Sequence, residues 1–250
     1  MSTTDPEHRL VCWLSDVEPA PATLSAAIEA SRQPAFDWNR ALQLAARNWV
    51  LPAVALNLAR RELSPLPDEV RTSVRLAGIA ARTNCTTIAA HLAPVFASWN
   101  AAGLRWALMK GAALIAAVYP PDARLLHDVD VLVAPEHYAT ARSALLAAGF
   151  APATGVHTEE FMLAAKEQVV FSNAAVAGAA STQVDLHRET YGPAKPYRFD
   201  TGELLDRRRP ASFCGVPVYA LDSTDLLLHL STQLLNDRLL VKLQRLADLG

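Results

Sequence analysis

The stretch Leu125-Leu-His-Asp-Val-Asp-Val-Leu-Val133 decides the fold, because it combines a β-branched strand with two carboxylates. Its three valines alternate with other residues, as in a strand with one face in a core. Asp128 and Asp130 are two residues apart, so their side chains share the other face at a Cα spacing of about 7 Å. Two carboxylates at this spacing repel each other unless a cation lies between them. The stretch therefore predicts a core strand that presents a metal site.

Mg²⁺ is the cation that such a pair favours, because it takes hard oxygen ligands and keeps phosphate oxygens in its shell. Mn²⁺ is the alternative, since it suits the same oxygen ligands. A structural reading stays open beside this one: both aspartates cap a strand end in solvent and bind nothing.

A candidate anion site precedes the strand at Met109-Lys-Gly-Ala112, where an apolar run gives way to a predicted buried helix. Gly111 lets the backbone approach a ligand closely. Lys110 adds a positive charge to the free N–H groups of the helix N-terminus. The structural alternative is a solvated lysine followed by a turn glycine.

Arg124 is a third candidate for phosphate binding, because its planar guanidinium matches the geometry of phosphate oxygens. It lies in the loop after Pro120-Pro121. It can equally pair with Asp122 or Asp128 and only position that loop.

A further carboxylate, Asp185, lies between apolar residues in Gln183-Val-Asp-Leu-His187, a second predicted strand. A carboxylate there is costly unless it binds a cation or faces a cleft. If this strand neighbours the one with Asp130, three acids converge on one metal site. Asp185 then binds a metal or accepts the proton of an attacking hydroxyl. His187 shares its face by the i,i+2 rule and is a weaker candidate.

The chain as a whole predicts an α+β fold, in which a helical N-terminal region packs on a small mixed β-sheet core followed by a C-terminal helix. Residues 1–102 read as helices, one of them beginning at Asp37 and another running from Asp68 with Pro94 inside it. The predicted strands are Leu104–Met109, Val129–Val133, Glu167–Ser172 and Thr182–His187. The predicted parts are therefore residues 1–102, 103–221 and 222–250.

Charge and hydropathy exclude several classes of protein. The formal net charge of -2 gives no general attraction to nucleic acid or to acidic membranes. The polar, acidic N-terminus lacks the order of a signal peptide, and no apolar stretch reaches the roughly 20 residues of a membrane span. A cytoplasmic protein without nucleic-acid or membrane partners is expected.

The ordered set Lys110-Gly111, Arg124, Asp128-Val-Asp130 and Val184-Asp-Leu-His187 resembles the uncharacterised nucleotidyltransferase family of the polymerase-β-like superfamily. The resemblance implies that Asp128 and Asp130 are metal ligands and that Asp185 is the third acid. It also implies a nucleoside triphosphate substrate, two Mg²⁺ ions and in-line attack of an acceptor hydroxyl on the α-phosphate, with pyrophosphate leaving. Lys110, Gly111 and Arg124 would bind the nucleotide.

The chain departs from the superfamily at the phosphate turn, which usually carries Gly-Ser where this chain has Lys110-Gly111. Lys110 would replace the phosphate contact of the serine. The sequence leaves the acceptor open: a small metabolite, an antibiotic, a peptide or a protein side chain.

Two other functions remain alternatives. A metal-dependent glycosyltransferase also uses an Asp-x-Asp pair, but such enzymes usually begin with a nucleotide-binding α/β domain rather than a hundred helical residues. A nucleotide-binding scaffold that has lost turnover is the second. Release of pyrophosphate distinguishes the proposed transferase from both.

Three further expectations come from single residues. Asp130→Asn should leave the metal-free protein no less stable, because it relieves repulsion with Asp128. The run Arg207-Arg-Arg209 should be a solvated loop, and His229 a hydrogen-bonded residue of the core or its edge.

Overall fold

The computed structural model describes residues 5–60, 66–173, 181–236 and 242–249, which form two compact units. The first unit is drawn from Met1–Cys85, Tyr119–Leu125 and Leu234–Gly250, and the second from Thr86–Val118 and Leu126–Gln233. The three predicted parts of the chain stay a sequence prediction. No described helix has both the length and the apolar character that crossing a bilayer requires.

The first unit is helical. Its elements are α1 Pro6–Leu14, α2 Pro21–Ser31, α3 Trp38–Arg47, α4 Leu51–Arg60, the first half of α5 Asp68–Ala101, and α11 Leu243–Ala247. Aliphatic side chains of α1, α2 and α4 share one core, including the fully buried Leu14 and Val54. Gln244 of α11 donates to the backbone oxygens of Asn48 and Trp49 at 3.2 and 3.1 Å, which closes the end of α3.

The predicted helix starts are confirmed where a capping residue marks them. Asp37 accepts a hydrogen bond from the Arg40 backbone N–H at 3.1 Å, as an N-cap does. Helix α5 runs from Asp68 to Ala101 as one helix that includes Pro94. The sequence also predicts a loop with two prolines over 63–68 and ion pairs on a helix face at 237 and 238; residues 63–65, 237 and 238 lie outside the described residues.

The second unit holds a seven-stranded mixed sheet flanked by short helices. Its strands are β1 Trp106–Leu108, β2 Val129–Val133, β3 Phe150–Pro152, β4 Gln168–Asn173, β5 Gln183–His187, β6 Arg209–Phe213 and β7 Val216–Ala220. Its helices are the second half of α5, then α6 Lys110–Ala117, α7 Tyr138–Ala147, α8 Glu159–Lys166, α9 Thr201–Asp206 and most of α10 Ser223–Asn236, with a 3₁₀ turn at Pro135–His137. The α+β class is thereby confirmed.

The strand order is β3-β4-β5-β2-β1-β7-β6. Strand β2 is central: it pairs antiparallel with β1 and parallel with β5. All five residues of β2 are buried, so the strand is fixed from both faces. Trp106 of β1 stacks on Phe96 with ring centroids 4.8 Å apart, which anchors the sheet on the second half of α5.

The arginine run that leads into β6 is solvent-exposed in part, with 49% of the Arg207 side chain and 71% of the Arg209 side chain accessible. Each guanidinium nevertheless has a partner. Arg207 makes two bonds of 2.9 and 3.0 Å to Asp225, Arg208 lies over the Tyr219 ring at 4.7 Å, and Arg209 donates to Asp222 at 3.0 Å. The run therefore ties the hairpin to the start of α10.

Candidate metal and phosphate site

The site is built first by strand register. Strands β2 and β5 run parallel with Asp130 directly opposite Asp185. Side chains of residues in register on adjacent strands share a face. Both carboxylates are buried, at 4% and 7% relative exposure. One ligand atom each from Asp130, Asp185 and His187 lie within 4.8 Å of one another, as three donors to one ion would.

Lys110 enters the site from the turn between β1 and α6. Its backbone is left-handed, with φ of 48°, a conformation that costs a non-glycine residue about 1 kcal/mol and recurs at functional sites. The Met109 N–H donates to the Asp130 carbonyl at 2.9 Å and fixes this turn against β2. The Lys110 ammonium then lies 2.5 Å from Asp130 Oδ1.

His187 is the second partner of Asp130. Its Nε2 lies 3.0 Å from the same Oδ1, and both side chains are almost fully buried. Because an ionised carboxylate only accepts hydrogen bonds, we assign the proton to Nε2. Within the described residues, Nδ1 of His187 is buried without a partner. The signal for this histidine in the sequence is its i,i+2 spacing from Asp185.

Asp185 is held by amides rather than by a cation. Gln168 Nε2 donates to its Oδ2 at 3.0 Å, and Gln183 Nε2 donates to its Oδ1 at 3.2 Å. Gln168 comes from β4 and Gln183 from β5, so the carboxylate is oriented from two strands. Neutral donors of this kind orient a carboxylate without neutralising it.

The pKa values of the two facing acids, Asp130 and Asp185, are shifted in opposite directions. Burial opposes ionisation of Asp130, but Lys110 and then His187 outweigh it, so the pKa of Asp130 is lowered. Burial raises the pKa of Asp185, and repulsion from Asp130 adds to the effect. Burial disfavours the charge of Lys110, yet attraction to Asp130 dominates and raises its pKa. The negative charge of Asp130 is therefore compensated by neighbouring groups of the protein, whereas that of Asp185 is not.

The remaining predicted residues are distributed differently. Asp128 precedes β2, and burial followed by repulsion from Asp130 and Asp185 raises its pKa. Asp128 interacts electrostatically with both acids, but it is not one of the three residues whose ligand atoms lie within 4.8 Å of one another. Gly111 is buried in the first turn of α6. The metal and nucleotide roles of these residues stay predictions.

Arg124 belongs to the first unit, where its guanidinium already forms a salt bridge. Its Nε and Nη2 donate to the two carboxylate oxygens of Asp248 at 3.2 and 2.9 Å. Its guanidinium is mostly buried, with 12% of the side chain exposed. The expected partners Asp122 and Asp128 are not the ones used, since Asp122 pairs with Arg82 at 2.7 Å.

His229 of α10 was not expected near the site. It is 1% exposed, and within the described residues neither ring nitrogen has a hydrogen-bond partner, so the expectation of a hydrogen-bonded histidine is wrong. Burial, followed by electrostatic interaction with Lys110 and His187, lowers its pKa to about 3. Its imidazole is therefore neutral. No periodicity in the sequence shows this neighbourhood, because it depends on tertiary packing.

The donor set fits a hard cation. Carboxylate oxygens are the ligands Mg²⁺ prefers, and two of them face each other here. Asp130 Oδ1 accepts from Lys110 and His187, which leaves Oδ2 outside both bonds. The Lys110 ammonium already occupies one cation position beside Asp130. His187 fits a role in orienting Asp130, as histidines beside metal-binding carboxylates do.

Comparison with known protein families gives a match. Residues 34–250 match the model of a family described as "Uncharacterised nucleotidyltransferase". The matched region includes Lys110, Asp130, Asp185 and His187. No curated protein matches the chain.

Proposed function

Because the chain belongs to the uncharacterised nucleotidyltransferase family, as its sequence motifs indicated, we propose a specific reaction for this nucleotidyltransferase. It transfers a nucleoside monophosphate group from a nucleoside triphosphate, with ATP as donor, to an acceptor hydroxyl and releases pyrophosphate. One observation carries the proposal: Asp130 and Asp185 lie in register on adjacent parallel strands, beside a lysine at a helix N-terminus.

The proposed roles follow from that geometry. Asp130 and Asp185 hold Mg²⁺ or Mn²⁺, with Asp128 as a further ligand. When bound, the cation neutralises phosphate charge and polarises the α-phosphate. Lys110 and the first N–H groups of α6 bind phosphate oxygens. Nucleotide binding by Arg124 stays a prediction from the sequence, since its guanidinium is bonded to Asp248.

The bond changes of the reaction are simple. The acceptor oxygen bonds to the α-phosphorus, and the bond from that phosphorus to the pyrophosphate oxygen breaks. The hydroxyl proton passes to Asp185, whose carboxylate is oriented by the amides of Gln168 and Gln183. Asp130 stays ionised throughout, because Lys110 and His187 stabilise its charge.

A nucleotide-binding scaffold without turnover is a second candidate. One observation favours it: Asp130 Oδ1 already accepts from both Lys110 and His187. A cation arriving at Asp130 therefore meets two competitors for its charge. In a scaffold, this pairing would persist and only the nucleotide phosphates would bind.

The test is pyrophosphate release from each nucleoside triphosphate, with Mg²⁺ or Mn²⁺ and mixtures of small hydroxylated acceptors. We expect release with ATP and a mass gain of one nucleoside monophosphate on an acceptor. Asp185→Asn should abolish both while retaining the fold. Metal-dependent ATP binding without pyrophosphate under all acceptor mixtures would favour the scaffold. Release of a nucleoside diphosphate would favour a glycosyltransferase.

Three expectations from the sequence complete the proposal. The choice of ATP, a cytoplasmic location and the absence of nucleic-acid partners stay predictions. The net charge of -2 supports the last of them, because it provides no general attraction to a polyanion.

A further inference from the structure

A cavity of about 450 Å³ opens in the second unit where the chain leaves strand β5. Its wall includes Glu189, two residues after His187, so their Cα atoms are at most about 7 Å apart. The volume lies within the range of sites for small organic ligands. The cavity therefore opens at the end of the strand that carries Asp185 and His187, and its volume is large enough for an acceptor.

The charges on this wall do not balance. Glu167 is neutralised by Arg188, whose Nε and Nη2 lie 3.0 and 2.6 Å from it. Glu189 accepts from the Thr201 hydroxyl at 2.7 Å, and Asp200 accepts from the Glu203 backbone N–H at 2.8 Å. In the part of the chain that the structure describes, neither Glu189 nor Asp200 has an ion pair.

Arg198 is the guanidinium among the described lining residues, and its single positive charge offsets only one of these two carboxylates. Arg198 donates to the backbone oxygens of Pro193, Lys195 and Tyr197 at 2.6 to 2.9 Å. Its N–H groups are therefore used to stabilise the loop in which Arg198 itself lies. The side chains facing the cavity thus carry more negative than positive charge. A ligand with a positive charge would correct the imbalance.

Three aromatic residues also contribute to the wall. Tyr191, Tyr197 and Phe199 all line the cavity, and the Tyr191 ring centroid lies 6.2 and 5.9 Å from the other two. Aromatic faces attract organic cations and also hold their apolar parts. Carboxylates and aromatic rings together therefore favour an organic cation over a metal ion or an anion.

His229 connects this wall with the acidic cluster. Its ring centroid lies 5.1 Å from that of Tyr191, and the Tyr191 hydroxyl donates to the His229 backbone oxygen at 2.9 Å. Both imidazole nitrogens are buried without a partner among the described residues. The field of Lys110, His187 and Asp130 also reaches this ring. An unpaired polar group thus lies behind the cavity wall, toward the acids.

We propose that this cavity is the acceptor site and that its ligand is a hydroxylated organic cation, an amino alcohol or an amino sugar. The carboxylates of Glu189 and Asp200 hold the ammonium group, and the rings of Tyr191, Tyr197 and Phe199 hold the carbon skeleton. The hydroxyl then points toward Asp185. The role as acceptor rests on the proposed nucleotidyl transfer, whereas binding of the cation does not.

The test is calorimetric binding to the full chain without nucleotide. The probes are two pairs that differ chiefly in charge: choline with 3,3-dimethylbutan-1-ol, and glucosamine with glucose. At least one cation should bind about tenfold or more tightly than its neutral partner, which corresponds to roughly 1.4 kcal/mol. Equal binding within both pairs, or no binding of either cation, would overturn the proposal.

Matched variants locate the binding. Glu189→Gln and Asp200→Asn keep the bonds to Thr201 and to the Glu203 N–H, because both amides retain an accepting oxygen. Each should weaken cation binding about tenfold, whereas Glu160→Gln, which removes an exposed charge outside the cavity, should not. Equal loss in the Glu160 variant would show a general charge effect and contradict the site.

A parallel measurement separates the two proposals. The gain in melting temperature with Mg²⁺ and ATP reports the nucleotide site alone. Cation binding without that gain would leave the cavity assigned and refute the transfer reaction. A nucleotide gain with no charge selectivity in either probe pair would refute only the acceptor assignment.

Discussion

Asp130 differs from Asp185 in what surrounds its charge, and this reverses an expectation from the sequence. The motif alone suggested that Asp130→Asn would relieve repulsion with Asp128. In the structure Asp130 is the counter-charge of Lys110 at 2.5 Å. An asparagine there leaves a largely buried ammonium without its partner, which is destabilising.

We therefore predict that the two isosteric variants differ in stability. Asp130→Asn should lower the free energy of unfolding of the metal-free protein by about 3 kcal/mol, as loss of one member of a buried ion pair does. Asp185→Asn should leave it within about 1 kcal/mol, because ionised Asp185 is already disfavoured by burial and by Asp130. Urea denaturation without divalent metal measures both values.

The metal response is the control for this pair. Both variants should lose the gain in melting temperature that Mg²⁺ and ATP give the native protein, since only binding to the folded state raises the midpoint. A stability ranking opposite to the one predicted would contradict the assignment of Lys110 as the partner of Asp130. A retained gain in Asp185→Asn would remove that residue from the metal site.

At the scale of elements, strand β4 contributes to the site without contributing an acid. Its Gln168 holds the Asp185 carboxylate from the neighbouring strand at 3.0 Å. Gln168→Leu should weaken Mg²⁺ binding 10- to 100-fold, the usual effect of losing a group that orients a metal ligand.

Ser172→Ala, on the same strand, is the matched control, because Ser172 is outside the group of ligand atoms. Titration with Mn²⁺ followed by electron paramagnetic resonance measures both affinities. If Gln168→Leu binds as tightly as the control, β4 has no role in positioning Asp185.

Some elements could be predicted because their signals are local. Strand β2 matches its prediction at both ends, since alternating valines identify a buried strand without reference to any partner. The hairpin of β6 and β7 had no such signal, because β6 begins with Arg209 and Pro210. Its arginines are fixed by carboxylates and a ring from other elements, which local sequence does not reveal.

The candidate site, like the fold, could be predicted from the sequence only where its signals are local. Asp130 and Asp185 were expected on neighbouring strands, and their register is consistent with one cation site. The contact from Lys110 depends on a left-handed backbone that only the folded turn imposes. His229 comes from the distant helix α10, so its neighbourhood exists only once the sheet has formed.

For the whole molecule, the buried imidazole of His229 sets part of the acid stability. Its pKa is near 3 in the fold and near 6.5 in an unfolded chain, so the unfolded state binds more protons between these values. Stability therefore falls as the pH drops below about 6.5. The slope is up to about 1.4 kcal/mol per pH unit and ends near the folded pKa.

His229→Phe should remove this contribution and flatten the profile of unfolding free energy between pH 6.5 and 4. At neutral pH the variant should be as stable as the native protein or more so, because it removes a buried polar group without a described partner. His157→Phe, at an exposed position stacked on Phe161, is the control. Profiles with the same slope in all three proteins would contradict the buried neutral histidine.

The bonds from Gln244 to the end of α3 have a consequence for biosynthesis. Gln244 and Trp49 are 195 residues apart in the chain. A ribosome adding roughly 5 to 20 residues per second needs about 10 to 40 s to cover that distance. During that interval the helices of the first unit lack α11, while most of the sheet emerges behind them. Chaperones that hold exposed apolar helices would therefore act on the nascent first unit while the strands that carry the acids are being translated.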